Sequence, residues 1–266
     1  MILLSLRRFL VFLVFLAFFL MPLCICALGE EQSKTPCVEI VYGVSELGRD
    51  LICRQIGDAS AEDALLLYFA VHGFEDAYDH DGEVLRLIAD RVSDYFTANP
   101  DMLGPLCLYI IPTANPDGLM DGTSKDAFGR CNAKGLDINR DFPAGWREDY
   151  RVRYKTGHEP FASAEARAIQ SLVQALSPAY AVDVHGWIDA VYGDGPLSQL
   201  LARSFDMRIK TIRSGGTLTQ WLDSLGIDAA LLELPPDPNE ENYVAQNSEK
   251  LIDTICQLAL LHSSAE

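Results

Sequence analysis

The stretch that decides the fold is Leu65-Leu66-Leu67-Tyr68-Phe69-Ala70-Val71-His72-Gly73-Phe74-Glu75. Its first part is a continuous apolar run with the length and composition of a buried strand. The run leads directly into an imidazole, and a carboxylate follows three positions later. Because open α/β sheets bind ligands at the carboxyl ends of their strands, the stretch indicates a metal site at the end of this strand.

Strands and helices alternate along the rest of the chain. Apolar runs predict further strands at 51–57, 106–111, 180–184 and 229–232. Helical spacing or capping signals predict helices at 83–96, 163–176, after 195–196, through 221–222 and at 248–261. This order predicts an α/β fold, a three-layer α/β/α sandwich with a mixed, mostly parallel central sheet. The long polar segment 112–160 shows little periodicity, which is typical of a functional loop.

The amino-terminal segment is predicted to direct the chain out of the cytoplasm. Arg7 and Arg8 precede an almost wholly apolar stretch that ends near Ala27. This pattern predicts a secretory signal, and its length makes an uncleaved membrane tether through residues 9–27 the alternative. We therefore expect residues 1–27 to be a signal peptide or membrane anchor. Residues 28–266 are expected to form one exported catalytic domain, secreted, periplasmic or held at the cell surface.

The charge limits the classes of binding partner, and the cysteine content limits the possible disulfide pairing. The formal net charge of −17 argues against nucleic acid and anionic membrane surfaces as partners. Five cysteines follow residue 27, and an odd number leaves at least one unpaired in a monomer, the state we expect. Cys53 and Cys107 lie in apolar runs, which indicates buried thiols.

A second histidine completes a candidate metal site. His185 ends the apolar run 182–184, in the same setting as His72. Two imidazoles and the carboxylate of Glu75 form a donor set that suits zinc and leaves one position for water. Taken alone, the His-x-x-Glu pattern is a weak signal, because a single histidine at a strand end is more often structural.

Several further motifs occur in a fixed order along the chain. They are Gly-x-Ser-x-x-Gly-Arg at 43–49, Ile-Pro-x-x-Asn-Pro-Asp-Gly at 111–118, and the block from Gly129-Arg130 through Asn139-Arg140 to Pro143. Together with His72, Glu75, His185 and a glutamate that ends a late strand, they resemble the zinc metallocarboxypeptidases of the carboxypeptidase A type. The layout is most similar to the compact bacterial murein-peptide amidases of that family, which cut the γ-D-glutamyl–diaminopimelate bond.

The resemblance implies a role for each matching residue. His72, Glu75 and His185 would hold one zinc ion, and Asp137 would orient the first histidine from behind. Glu233 would be the general base. It lies in the apolar setting 231–234, where an unpaired carboxylate is costly unless a metal or hydrogen bond accounts for it.

Three residues of the long loop would bind the substrate. The resemblance implies that Arg130 stabilises the oxyanion and contributes to substrate binding. It further implies that Asn139 and Arg140 hold the terminal carboxylate of a peptide. A guanidinium suits that task because it can bind both carboxylate oxygens.

One segment departs from the family pattern. Digestive members carry a tyrosine shortly before the Gly215-Gly216 turn, whereas this chain has none there. Counting back from the late glutamate places Thr211 near that position and Leu218 in the specificity pocket. Lys210 or Arg213 would then be available to contact an anionic substrate.

Three functions compete at this stage. The first is an exported zinc-dependent carboxypeptidase that hydrolyses a C-terminal peptide or amide bond by zinc-activated water, on peptides or on murein peptides. The second is a zinc deacylase of the aspartoacylase or succinylglutamate desuccinylase kind, which shares part of the motif set. The third is a non-catalytic binding module. The Asn-Pro-Asp-Gly loop and the export signal favour the first, and the presence of all ligands and the base disfavours the third.

Overall fold

Nine strands are present in residues 37–122 and 124–263, the part of the chain that this computed structural model describes. They are β1 (Val38–Val44), β2 (Asp50–Ile56), β3 (Asp63–Phe69), β4 (Leu106–Ile111), β5 (Ser124–Cys131), β6 (Tyr180–Gly186), β7 (Ala190–Tyr192), β8 (Arg208–Lys210) and β9 (Asp228–Leu234). All except β5 belong to one sheet, in the order β1-β2-β4-β3-β6-β9-β7-β8. The described residues belong to a compact unit that spans Thr35–Glu266.

Six α-helices accompany these strands in the described part of the chain. They are α1 (Gly82–Ala98), α2 (Pro116–Asp121), α3 (Ala164–Leu176), α4 (Pro196–Phe205), α5 (Leu218–Ser224) and α6 (Tyr243–Ser263). Short 3-10 turns cover Pro100–Leu103, Ile138–Arg140 and Val152–Tyr154. The last two of these turns, together with α2 and β5, give structure to the long polar segment that the sequence presents as a loop.

The central sheet is mixed. Strands β4, β3, β6 and β9 run parallel to one another, and β7 pairs with β9 in the antiparallel sense. At the other edge, β1 pairs with β2 and β2 with β4, both antiparallel. The α/β fold with a mixed sheet is therefore confirmed.

Two apolar cores cover opposite faces of the sheet. Leu65, Leu67 and Phe69 of β3 pack into one core with α1, α4 and α6, whereas Leu66 and Tyr68 pack into the other with α3 and α5. Side chains alternate between the faces of a strand, so a strand buried on both faces must be apolar throughout. This requirement explains the uninterrupted run that opens the deciding stretch and confirms the three-layer arrangement.

Several boundaries differ from those predicted. β3 ends at Phe69 rather than at Val71, because Ala70 adopts a positive φ of 47° and turns the chain out of the sheet. α6 begins at Tyr243, five residues before the predicted start. The sequence analysis also missed β1, β7 and β8. The last two are only three residues long, too short for a period to show.

The described residues bear on two further expectations. None of their helices has both the length and the apolar character that crossing a bilayer requires. The signal or anchor predicted at residues 1–27, including the tether at 9–27, lies outside the described residues.

Cys37, Cys53, Cys107, Cys131 and Cys256 are all free thiols, and Cys53 and Cys107 are buried as predicted.

The start of α3 offers a test of the fold. The Ser163 hydroxyl accepts a hydrogen bond from the Ala166 amide and donates one to Asp141. We expect Ser163→Ala to lower the free energy of unfolding by about 1–2 kcal/mol, because it removes the cap and leaves buried polar groups unpaired. Urea denaturation measures this, with exposed Ser171→Ala in the same helix as control. Equal losses for both variants would contradict the assigned cap.

Candidate metal centre and catalytic cavity

Three parallel strands bring the distant motifs together. β3 pairs with β6, and β6 with β9, in a register that sets His185 opposite Glu233. His72 and Glu75 follow directly after β3, at the same edge of the sheet. The carboxyl ends of neighbouring parallel strands thus place on one edge residues that are far apart in sequence.

Close backbone packing fixes the turn after β3. The amide of Gly73 donates to the carbonyl of Gly129, and a Cβ at Gly73 would come within 2.4 Å of the Gly118 backbone. Only glycine fits such an approach. The Asn-Pro-Asp-Gly loop is therefore the support against which the His-x-x-Glu turn rests.

That loop is itself anchored by the motif at 43–49. The buried carboxylate of Asp117 accepts hydrogen bonds from the Ser45 hydroxyl and the Leu47 amide, both at 2.9 Å. Arg49 forms an ion pair with it at 2.6 Å. Asn115 caps α2 by accepting from the Gly118 amide, and it donates to the Cys131 carbonyl. These two motifs position the turn and lie outside the cavity.

His72, Glu75 and His185 form one buried cluster. One donor atom from each lies within 4.8 Å of the others. The Nδ1 atom of His72 is 3.2 Å from the Glu75 carboxylate, and the Nδ1 atom of His185 is 3.1 Å from it. The two Nδ1 atoms and the carboxylate thus face the same small volume, as the ligands of a metal ion would.

A carboxylate holds each imidazole from behind. Asp137 Oδ1 lies 3.1 Å from His72 Nε2, and Asp183 Oδ1 lies 3.0 Å from His185 Nε2. A carboxylate in this position fixes the tautomer and ring orientation and makes the facing nitrogen a better donor. The structure therefore places Asp137 where the resemblance implied and adds Asp183 as its counterpart.

The electrostatics of the cluster favour a bound cation. Burial opposes ionisation of Glu75, but the two histidines lower its pKa to about 2. Burial lowers the pKa of His185, yet Asp183 and Glu75 raise it well above its usual value. When the neutral imidazoles donate from Nε2 to Asp137 and Asp183, their Nδ1 atoms carry no proton, and Glu75 Oε1 then has no hydrogen-bond donor among the described residues. This surplus of buried negative charge and the imidazole–carboxylate donor set fit zinc.

Glu233 faces this cluster from β9. Burial raises its pKa to about 8, with Glu75 and Asp183 adding to the rise while His185 opposes it. Its Oε2 atom has no hydrogen-bond partner among the described residues, and its side chain lines the cavity. A carboxylate with a raised pKa and a free oxygen suits proton transfer.

Arg130 and Arg140 lie against one aromatic ring. The guanidinium carbons of Arg130 and Arg140 are 5.6 and 5.5 Å from the centroid of Tyr154. Arg130 is buried, donates to the Arg153 carbonyl, and lies 3.7 Å from Asp137. Burial lowers the pKa of Arg130, but Asp137 and Glu75 raise it, so the guanidinium stays charged. Tyr154 thus helps to hold both cations at the cavity wall.

Asn139 is largely buried beside His185 and also lines the cavity. Its Oδ1 accepts from the Leu218 amide at 2.9 Å, and its Nδ2 donates to Asp183 Oδ2 at 3.4 Å. Asn139 therefore links the carboxylate behind His185 to the start of α5. Because Asn139 precedes Arg140 in the chain, the same hydrogen bonds also hold the loop that carries Arg140.

These side chains line one cavity of about 1110 Å³. Thr211, Lys210 and Arg213 also line it, as predicted for the segment before the Gly215-Gly216 turn. Leu218 does not fit the prediction. It is 1% exposed, is not among the residues that line the cavity, and instead buries its apolar side chain in the core on the α3 and α5 face.

The sequence analysis missed Asp183, Asp81 and Tyr154. Asp81 accepts hydrogen bonds from the amides of Glu75 and Ala77 and from the Trp187 indole, so it supports the ligand turn. Of these three residues, only Asp183 could have been identified from the sequence. It stands two positions before His185 in a buried strand, and residues two apart share a face.

The fold and the cavity define a metal-dependent hydrolase. The chain matches the family model described as Zinc carboxypeptidase over residues 35–257. It belongs to that family.

Two curated relatives illustrate the range of similar proteins. Murein peptide amidase A of Escherichia coli (strain K12) is 28% identical over 239 residues, which cover 83% of this chain and 89% of the relative. Bacteriocin BCN5 of Clostridium perfringens is 32% identical over 240 residues, which cover 85% of this chain. The chain spans only 26% of the length of the bacteriocin.

Solved structures show the same fold. Murein-tripeptide amidase MpaA from Escherichia coli O157 superposes with a TM-score of 0.62 at 24% identity, covering 84% of this chain and 92% of that one. Bovine thrombin-activatable fibrinolysis inhibitor, in complex with tick carboxypeptidase inhibitor, gives a TM-score of 0.71 at 15% identity, covering 87% and 92%.

The role of the carboxylates behind the histidines can be tested by measuring the affinity of the protein for zinc. We expect Asp183→Asn to weaken zinc binding by roughly 10–100-fold, because the imidazole loses its orienting charge. Competition against a chromophoric chelator measures this.

Asp206→Asn is the matched control, since it makes the same change at an exposed helix end where asparagine tolerates the positive φ of 57°. Unaltered zinc affinity in Asp183→Asn would refute the assigned role.

Proposed function

We propose that the protein is an exported zinc-dependent carboxypeptidase that hydrolyses a C-terminal peptide or amide bond. The observation that carries this proposal is the convergence of His72, Glu75 and His185 with Glu233 on one edge of the sheet. The three would hold the metal, with Asp137 and Asp183 orienting the imidazoles. Zinc in such a site supplies the Lewis acidity that makes water a nucleophile at neutral pH.

The remaining residues divide the chemistry. Glu233 takes a proton from the attacking water and passes it to the leaving amine, for which its free oxygen and raised pKa suit it. Arg130, held beside Tyr154, faces the negative charge that develops on the scissile carbonyl oxygen. Because it is already charged and buried, it needs no reorganisation during the reaction.

Arg140 is the candidate receptor for the terminal carboxylate. It lines the cavity, and no described carboxylate forms an ion pair with it. Asn139 was predicted to share this task. Its Oδ1 accepts from the Leu218 amide and its Nδ2 donates to Asp183, so we propose that it acts mainly by fixing the loop beneath Arg140.

Murein peptides are the substrate class we favour over ordinary peptides. The support is the amidase relative, which resembles this chain over nearly its whole length. The deacylase alternative loses ground to the match with the zinc carboxypeptidase model. Export remains a prediction from residues 1–27, and it would bring the enzyme to the cell wall. We expect one zinc ion per chain.

The assignment of the base gives a direct test. Glu233→Gln should retain zinc, since the three ligands are untouched, and should lower kcat by roughly 10²–10⁴-fold. Metal analysis and steady-state kinetics on one preparation check both parts. Glu241→Gln, at an exposed position in the loop after β9, serves as control. A Glu233→Gln enzyme with native kcat would disprove the assignment.

The substrate class requires a comparison of two compounds. One is an ordinary peptide with a free C-terminus, and the other is L-Ala-γ-D-Glu-diaminopimelate. We expect faster turnover of the second, loss of turnover with a zinc chelator, and recovery on adding zinc. Chelator-insensitive hydrolysis, or none of either compound, would remove the proposed function.

A further inference from the structure

The cavity has a charge composition unlike that of the chain. The chain contains 38 Asp and Glu residues against 21 Lys and Arg. The cavity, however, is lined by five basic and four acidic side chains: Arg130, Arg140, Arg153, Lys210 and Arg213, and Glu75, Asp76, Glu233 and Asp237. Basic side chains are therefore concentrated around the site of an otherwise acidic protein.

Two of these cations, Lys210 and Arg213, have neither a role in the chemistry described above nor a described ion-pair partner. Arg130 lies near Asp137, and Arg153 pairs with Asp76. Neither Lys210 nor Arg213 forms an ion pair with a carboxylate in the described part of the chain. Both are exposed toward solvent and both line the cavity. They can accept an anion without first breaking an ion pair with a described carboxylate.

Arg213 lies on the side of the cavity that carries Arg140. The Gly215-Gly216 turn that follows it rests on the Arg140 segment: the Phe142 amide donates to the Gly216 carbonyl at 3.0 Å. A Cβ at Gly216 would come within 2.5 Å of the Arg140 carbonyl oxygen. A group held by Arg213 therefore belongs to the same end of the substrate as the carboxylate held by Arg140.

Lys210 approaches from the neighbouring strand. Its ammonium group lies 6.0 Å from the centroid of Tyr192, and Tyr192 is paired in β7 with Leu231 of β9. Leu231 lines the cavity two positions before Glu233, on the same face of β9. The pairing of β9, β7 and β8 thus connects the strand of the proposed base to Lys210, and both residues line the same cavity.

We propose that Arg213 and Lys210 bind a second carboxylate on the released residue, so that the enzyme selects substrates whose C-terminal residue is a diacid. This inference rests on the proposed function and deepens it. Arg140 holds the main-chain carboxylate, and the Lys210–Arg213 pair holds the side-chain carboxylate.

Two peptides that differ only in whether the C-terminal residue is Glu or Gln test the effect of the side-chain charge alone. We expect the kcat/KM of the zinc-loaded enzyme to be roughly 10-fold or more higher for the Glu peptide than for the Gln peptide, since only Glu can form a charge-assisted hydrogen bond with the two cations. The double variant K210Q/R213Q should lose this preference and keep its turnover of the Gln peptide. R208Q is the matched control, because Arg208 lies on the same strand and outside the cavity lining.

A binding measurement separates failure of this inference from failure of the proposed function. Calorimetric titration of the zinc-loaded protein with free glutamate and free glutamine requires no turnover. Tighter binding of glutamate that is lost in K210Q/R213Q supports the subsite whether or not either peptide is cleaved. Equal affinities, or a preference that survives in the double variant, would overturn it. Hydrolysis of both peptides at one rate would overturn the subsite and leave the proposed function intact.

Discussion

The centre depends on two imidazoles that are each fixed between carboxylates. Glu75 lies in front of His72 and His185, while Asp137 and Asp183 lie behind them. So much buried negative charge is tolerable only with compensating positive charge nearby. Arg130 supplies part of it, and a metal ion in front of the imidazoles would supply the rest. The same arrangement that makes the site costly to fold without a cation therefore makes it a strong cation site.

The surrounding framework keeps this charged group in register. β3, β6 and β9 deliver the ligands and the base from adjacent parallel strands, whose spacing the sheet hydrogen bonds fix. The turn after β3 has no such ladder, so other contacts hold it. Asp81 supports it from α1, and the loop anchored by Asp117 presses on Gly73. Motifs that resemble catalytic signatures are in part the structural supports of one short turn.

The sequence predicted the parts governed by local rules. A strand buried on both faces must be apolar, and Ser163 must cap a helix, so β3 and α3 were readable. The positions of His72, Glu75, His185 and Glu233 followed from strand ends and motif order. Asp81 and Tyr154 were not readable, because their importance comes from partners distant in sequence, such as Trp187 and Arg130. Leu218 was misplaced because counting along the chain cannot show that α5 buries this side chain in the core rather than in the cavity wall.

The two walls of the cavity differ in how deeply their side chains are buried and in how many contacts hold them. Around the metal site, side chains are buried and tied to one another, and a substitution there disturbs several contacts at once. The segment from Lys210 to Arg213 is exposed, and its two cations have no described ion-pair partner. Such a wall can change its exposed side chains without disturbing the centre, since its backbone is held by the pairing of β8 with β7 and by the Gly215-Gly216 turn against the Arg140 loop. Under the proposed function, separating chemistry from selection in this way would let one zinc site serve different terminal residues, with the charges on the exposed wall deciding which.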